Sequence, residues 1–490
     1  MDWGFTGDAY AAANPDQDAQ ELINWFPEQS ESENSKEKWT LLGCPGFLLA
    51  ASLGVGEVRG AWVLPGGVKC LWVAGSGVYL MTVSSAATAT TAATFTSTLV
   101  GSIASSAGQV SIRDNAAGGI AVIVDGTAAG YVFNVATQAV TAISDAGFYG
   151  ADKVIFVDGW LVFNKPGTQI FYTSPLYWNG TKAFDATYFA LKDSSTDNLV
   201  TMIESLREIW LIGERTTEVW YDAGNQFFPF SRLDGISLQI GCAAKHSITR
   251  FGKGLAWLAL SERGQNVVVV TEGYTQTVIS NEAVSNAIGS YPVVSDAIGY
   301  SYSENGHTFY VLTFPTADVT WVYDATSQRW HKRLSTDPAT GLYHRHRSNC
   351  FANFQNQRLV GDFSTGKVFS LNRSTYTDNG IPLIALRRTA HVWDGDARER
   401  LFHSLLQVQI RSGQAPSAGP GSNPQLMLRW SDDSGQNWSN QRQIPIGVTG
   451  ATSRRAIARR LGAPRDRIYE VSVSDPVCRD IIGASLKVEQ

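Results

Sequence analysis

An apolar run, a turn and a second short run ending in aromatic or β-branched residues recur seven times along this chain, roughly every 48 residues. The first runs are Leu71–Val73, Ala121–Val124, Trp160–Phe163, Ile209–Ile212, Leu255–Leu258, Phe309–Leu312 and Arg358–Val360. Their partners are Gly77–Tyr79, Gly130–Phe133, Ile170–Tyr172, Glu218–Asp222, Val267–Val270, Thr320–Asp324 and Gly366–Phe369. The gaps between successive copies are 50, 39, 49, 47, 53 and 49 residues. A period in this range with several short strands per copy is the signature of a β-propeller. Each copy is too short to bury both faces of its own sheet, and stacking copies around an axis covers those faces and leaves only short edges. Val, Ile, Trp, Tyr and Phe suit a pleated, buried surface. Asp158-Gly159, Glu304-Asn305-Gly306 and Ser364-Thr365-Gly366 supply hairpin turns. Helical patterning is scarce, with short helical turns expected only at Asp18–Trp25 and Ser453–Leu461.

The expectation is an all-β chain in three parts: an N-terminal extended arm over 1–54, a seven-bladed β-propeller over 55–385 and a β-sandwich-like domain over 386–490. The arm holds Asn24-Trp25-Phe26-Pro27-Glu28 and Leu42-Gly43-Cys44-Pro45-Gly46-Phe47 around a polar stretch. It has too little apolar sequence to fold alone, so Trp25, Phe26 and Phe47 are expected to dock it on its own propeller or on a neighbour. Ser84–Gly108, almost wholly Ala, Thr, Ser and Gly, reads as an exposed loop or outer strand. Beyond 380 the pattern changes to strict alternation at Leu405–Ile410, Gln425–Trp430 and Tyr469–Val473, strands with one buried face.

Charge divides the chain in the same place. Residues 381–490 carry 15 Lys+Arg against 10 Asp+Glu, a net of +5, whereas the preceding residues carry a net of −10. An acidic protein overall is not a general nucleic-acid binder. Only 17% of residues are charged, below the usual quarter, which suits a protein that buries surface against partners. No apolar run approaches the ~18–20 residues needed to span a bilayer. The start Met1-Asp2-Trp3-Gly4 lacks the basic and apolar regions of an export signal. The five cysteines are far apart and form no CxxC pair, so buried free thiols in a protein made in a reducing cytoplasm are expected.

Three clusters invite a chemical reading. Ser431-x-Asp433-x-Gly435-x-x-Trp438 fits an Asp-box and resembles the hairpin turns of sialidase propellers. Its physics is structural: Ser and Asp oxygens cap turn amides, Gly takes a positive φ and Trp plugs the sheet. Asp432 and Asp433 are therefore poor acid/base candidates. His344 and His346, two apart on a strand and near His331, suggest a metal. Three or four ligands are needed, Cys350 alone lies just downstream, and the arginines flanking His346 repel a cation, so no metal site is assigned. Arg454, Arg455, Arg459 and Arg460, followed by Arg465 and Arg467, form the strongest basic run, a candidate surface for an acidic partner. Asp466, Glu470 and Asp475 stand close enough in sequence to neutralise part of it.

The opening Asn24–Glu28 and Leu42–Phe47 motifs, with Leu428–Gly435, Arg460-Leu461-Gly462, Asp466-Arg467 and Val473–Val477 near the end, resemble the tail-hub or tail-nozzle proteins of short-tailed phages, also called packaged-DNA stabilisation proteins. The resemblance implies a structural virion protein, not an enzyme, with no catalytic residue and no cofactor. It implies a homo-hexameric ring in the virion tail, with an adaptor above and needle, fibre or spike proteins as partners. Double-stranded DNA would pass through its channel without sequence-specific contacts. The alternative drawn from the Asp-box is a carbohydrate-active propeller, a sialidase-like glycosidase or a lectin. That activity needs paired carboxylates or arginines converging at one mouth, whereas the arginines here concentrate after the repeats and the Asp-box is single.

Overall fold

The computed structural model describes residues 3–88, 91–117, 119–395 and 399–489. The chain is all-β, with one helix among the described residues, Glu282–Gly289. Every repeated doublet becomes the two middle strands of an antiparallel sheet. Leu71–Val73 lies in Lys69–Ala74 and pairs with Gly77–Ser85, and Phe309–Leu312 lies in His307–Phe314 and pairs with Val319–Asp324. To each pair the fold adds an inner strand before it and, in the first six sheets, an outer strand after it.

The sheets follow one another as 58–102, 111–142, 154–191, 199–238, 241–278, 298–332 and 348–372, here numbered one to seven. Their inner strands touch in chain order. Val58–Val63 meets Ser111–Asp114, which meets Val154–Val157, which meets Leu199–Ser205. Farther round, Thr249–Phe251 meets Ile298–Glu304, which meets Ser348–Phe354, and this last strand returns to Val58–Val63. Asn349 Nδ2 donates to the Val58 carbonyl at 2.9 Å at that junction.

Alternation along the middle strands explains the stacking. Leu71 and Val73 pack with Ala121, Ile123 and Phe133 of sheet two. Cys70 and Trp72, one residue out of phase, pack with Cys350, Leu359 and Val368 of sheet seven. Sheets two and three share Val122, Val124, Leu161 and Phe163, and sheets three and four share Val162, Phe171, Ile209 and Leu211. Period-two side chains thus fill both faces of each sheet.

The first 54 residues correct the expectation of an extended arm. Glu21–Ile23 pairs with Ala385–Arg388 and, at Ile23, in parallel with Lys332 of sheet six. Sheet six therefore continues through Glu21–Ile23 into Ala385–Arg388, Asp466–Val473, Gln425–Ser431 and Arg442–Pro445. The facing sheet runs Trp25–Gln29, Trp39–Gly43, Ile481–Glu489, Phe402–Ile410 and Ala456–Arg459. Gly46–Ser52 then becomes the outer strand of sheet seven, against Lys367–Asn372. The chain starts in the C-terminal domain, closes the last sheet and returns to its starting point. Buried arginines hold the arrangement by donating to carbonyls: Arg387 to Phe5 at 2.6 Å and Asp8 at 2.8 Å, and Arg479 to Leu383 at 2.5 Å.

Both expected helical turns are strands, at Glu21–Ile23 with Trp25–Gln29 and at Ala456–Arg459. Sheet pairing overrides weak local propensity there. The helix lies instead between sheets five and six, where the Asn281 side chain accepts from the Val284 N–H at 2.9 Å and Ala283, Val284 and Ile288 are buried. In the low-complexity stretch, Thr94–Ser102 is the outer strand of sheet one, and residues 89 and 90 lie outside the described residues. All five cysteines are free and buried.

Two outcomes follow. Trp25 is 0% exposed and donates from Nε1 to the Arg479 carbonyl at 3.0 Å, so Trp25→Ala is expected to cost about 3–5 kcal/mol in chemical denaturation of the full chain. A 386–490 fragment lacks Leu22, Trp25 and Leu41 of the shared core. It is expected to show no cooperative thermal transition by near-UV circular dichroism, and a sharp transition would mean that the N-terminal strands are dispensable.

Candidate functional site: the basic edge of the C-terminal domain

The two sheets of the C-terminal domain end side by side in Arg442–Pro445 and Ala456–Arg459. Each of these strands has a sheet partner on one side only. They touch, and Arg442 Nη1 donates to the Arg459 carbonyl at 3.2 Å. Between them runs an open groove of about 780 Å³ lined by Gln443, Ile444, Arg454, Arg455, Ile457 and Arg459. Alternation on the edge strand sends Ala456 and Ala458 into the core. Arg454, Arg455, Arg459 and Arg460 are all exposed.

These four guanidinium groups have no ion-pair partner among the described residues. The acids expected to neutralise them are engaged elsewhere. Asp466 pairs with His391 Nδ1 at 2.7 Å, Glu470 with Arg388 at 2.9 Å and Arg429 at 2.5 Å, and Asp475 accepts from the Gln425 N–H at 2.8 Å. The edge is therefore an uncompensated basic surface that also carries unpaired strand backbone. Such an edge is able to take an acidic or extended segment. Arg467 is corrected out of the set: it is buried, forks onto Asp432 at 2.6 and 2.7 Å and donates to the Leu461 carbonyl.

The Asp-box closes the hairpin between Gln425–Ser431 and Arg442–Pro445. Ser431 Oγ donates to Asp433 at 2.7 Å and accepts from the Gly435 N–H at 2.8 Å. Asp433 accepts from the Asn437 backbone N–H at 2.8 Å and from its side chain at 2.6 Å, and these bonds, the backbone one foremost, hold its carboxyl below the usual range. Gly435 has φ +90°, a conformation that a side chain would strain. Trp438 departs from the expected buried plug. It is half-buried, donates to the Gly435 carbonyl at 3.0 Å and lies against Arg388 and Arg429 at 4.9 and 4.7 Å from the ring centre. Those are the two arginines that hold Glu470, so the indole shields an ion-pair network.

The remaining sequence candidates, His344 apart, lie inside the molecule. Trp25, Phe26 and Phe47 are 0%, 2% and 1% exposed. Phe26 packs on Phe309 and Phe47 on Phe369, within the core between sheets six and seven. Of the two expected dockings, Phe26 and Phe47 take the one on the chain's own propeller and Trp25 enters the core shared with the C-terminal domain, so none of the three is left exposed as a surface for a partner. His331 and His346 are buried and held neutral by burial, His346 at about 3, and His344 bonds Asp318 at 2.6 Å. Among the described residues no three His, Cys, Asp or Glu side chains gather as a metal site, and no helix is long and apolar enough to cross a membrane.

The buried arginines went unnoticed in the sequence, since nothing local distinguishes a carbonyl-binding guanidinium from a solvated one. Trp438→Ala is expected to cost about 1 kcal/mol, set by its cation–π contacts. A loss in urea denaturation as large as that of Trp25→Ala would restore the buried-plug role.

Comparison with known families matches two models to the chain. Residues 32–376 match the family model described as bacteriophage P22 Gp10, β-propeller. Residues 386–489 match that described as bacteriophage P22 Gp10, β-sandwich. No curated protein sequence matches. The propeller match alone covers well over half of the chain and the sandwich match nearly all the rest, so the chain belongs to the P22 Gp10 family of phage DNA-stabilisation tail proteins.

Proposed function

We propose that the chain is the ring-forming nozzle or hub of a short-tailed phage tail. In this reading it extends the DNA channel below portal and adaptor, retains packaged DNA and conducts it at ejection. The observation that carries the reading is the match of both halves of the chain to the two domains of one structural tail-protein family. No comparison favours the glycosidase or lectin alternative, and the Asp-box residues are occupied in closing their own turn.

The propeller of this nozzle has seven blades, sheets one to seven, with Gly46–Ser52 closing the last. Inner-strand contacts from sheet one to sheet four and from sheet five through seven back to one, with a core shared by sheets four and five, support that count. The protein is made in the host cytoplasm and assembles as a homo-hexamer in the virion tail. It adjoins the adaptor above and needle, fibre or spike proteins at its other contacts. Double-stranded DNA passes without sequence-specific contact. The net charge of −10 before residue 381 suits that passage, because like charge keeps DNA from adhering to the wall.

The basic edge is the assembly contact of this reading. Uncompensated arginines on an unpaired strand suit an acidic partner surface, and their rim exposure tunes association more than folding. Arg459→Glu with Arg460→Glu is expected to lower tail assembly at least about tenfold and leave the melting temperature within about 2 °C. Light scattering of the protein with its tail partners and infectivity of the reversed phage check this. Normal tails from the reversed variant would remove the edge from assembly, and a persistent monomer in assembled tails would overturn the ring.

A further inference from the structure

The innermost strands of sheets one to six line an axial cavity of about 390 Å³. Its wall includes Trp62, Ser111, Arg113, Lys153, Thr249, Arg250 and Ser301, and neither Asp nor Glu. The strands carrying Arg113 and Lys153 are adjacent and tied together, since Ser111 Oγ accepts from the Val154 N–H at 3.2 Å.

Two of the cations have no direct ion-pair partner among the described residues, although Asp152 and Asp114 act on them from a distance. The Lys153 ammonium makes no hydrogen bond or ion pair among the described residues. The Arg113 guanidinium makes none either and rests only on the Trp62 ring, 4.0 Å from its centre. Nearby acids are committed elsewhere: Asp114 accepts from Trp62 Nε1 at 2.6 Å, Asp152 pairs with Lys245 at 2.5 Å, and Glu204 pairs with Arg250. The mouth beside this cavity differs, with Glu57, Asp125 and Asp296 set among Lys245 and Arg345. Within the cavity, the cationic side chains without a direct ion-pair partner among the described residues are thus Arg113 and Lys153.

Enclosure makes such charge costly. Burial pushes Lys153 down to about 8 and Arg113 down to about 10. Cations held in a concave site, free of internal partners, form the arrangement that receives an anion.

We propose that this axial cavity binds a small tetrahedral oxyanion of the sulfate or phosphate class between Lys153 and Arg113. The ion cross-links the inner strands of sheets two and three, and Arg250 extends the site to sheet five. The cavity is too small for a nucleic-acid duplex, so the ligand is a free ion. The site is independent of the tail function proposed above, because neither residue lies on the sandwich edge.

The test uses the full chain and sulfate, whose charge is constant from pH 6 to 10. Among the groups facing Lys153, Arg113 is pushed down by burial only to about 10, Arg250 pairs with Glu204, and Lys245 pairs with Asp152. The Cys242 thiol is pushed up to about 11 by burial, and His246 is held neutral by burial. Lys153 is therefore the group that titrates at the site, and it loses its proton as pH rises through about 8.

Calorimetry is expected to find a saturable sulfate site that Lys153→Met weakens at least about tenfold, with wild-type affinity falling about tenfold or more from pH 7 to 9.5. Arg459→Glu is expected to leave that site unchanged. Equal binding by wild type and Lys153→Met, or affinity flat with pH, would overturn the proposal. Should Lys153→Met fail to fold, wild-type protein carrying ¹³C-dimethylated lysines decides the question. Sulfate is expected to move one methyl titration upward from near 8, and no movement would overturn the site.

Discussion

Every sheet of the propeller depends on the alternation of side chains along its two middle strands. Odd and even positions of one strand enter different cores, as Trp72 and Val73 do, and each core is completed by the neighbouring sheet. No sheet therefore owns a core. A middle strand slipped by one residue would exchange its contents with both neighbours at once, which ties register in one sheet to register in the next. The same constraint leaves the inner and outer strands free to differ in sequence, because the inner ones face the axial cavity and most outer ones, as in sheets one to three and five, are largely exposed.

Closure imposes a second condition. Sheet seven has three strands from one stretch of chain and takes its fourth from Gly46–Ser52, far upstream. The strands just before that segment enter both sheets of the sandwich. Propeller closure and sandwich formation thus share one length of chain. The buried guanidiniums of Arg387 and Arg479 reinforce the junction by donating to carbonyls of segments that would otherwise leave polar backbone buried without partners. Here a chain end is part of two cores, although its sequence resembles a loose arm.

The candidate surfaces differ in how far local sequence reveals them. The basic edge was legible because its arginines lie close together in the chain, and the Asp-box because its turn chemistry is local. The role of Trp438 was legible only in part: the hairpin was foreseen, but Arg388 and Arg429 reach the indole through strand pairing with Asp466–Val473. Arg113 and Lys153 gave no signal. Each stands alone in its own stretch, and their convergence depends on adjacent inner strands facing one axis.

By itself the sequence determined the all-β class, the repeat, the middle strand pair of each sheet, the family and the change of character near 380. The class, the repeat and the strand pairs rest on short-range periodicity and local turn chemistry, which are set by neighbours in the chain, whereas the family rests on the resemblance of the motifs near the two ends. Tertiary structure alone decided the fate of residues 3–52, the strand at Ala456–Arg459, the burial of Trp25, Phe26 and Phe47, and the pairing of acids away from the arginine edge. Each of those depends on contacts between segments far apart in the chain, from the pairing of Ala456–Arg459 with Phe402–Ile410 to Trp25 bonding Arg479 and Arg387 bonding Phe5. A local pattern specifies which face of a strand is apolar, but which distant surface covers that face is settled only when the chain closes on itself.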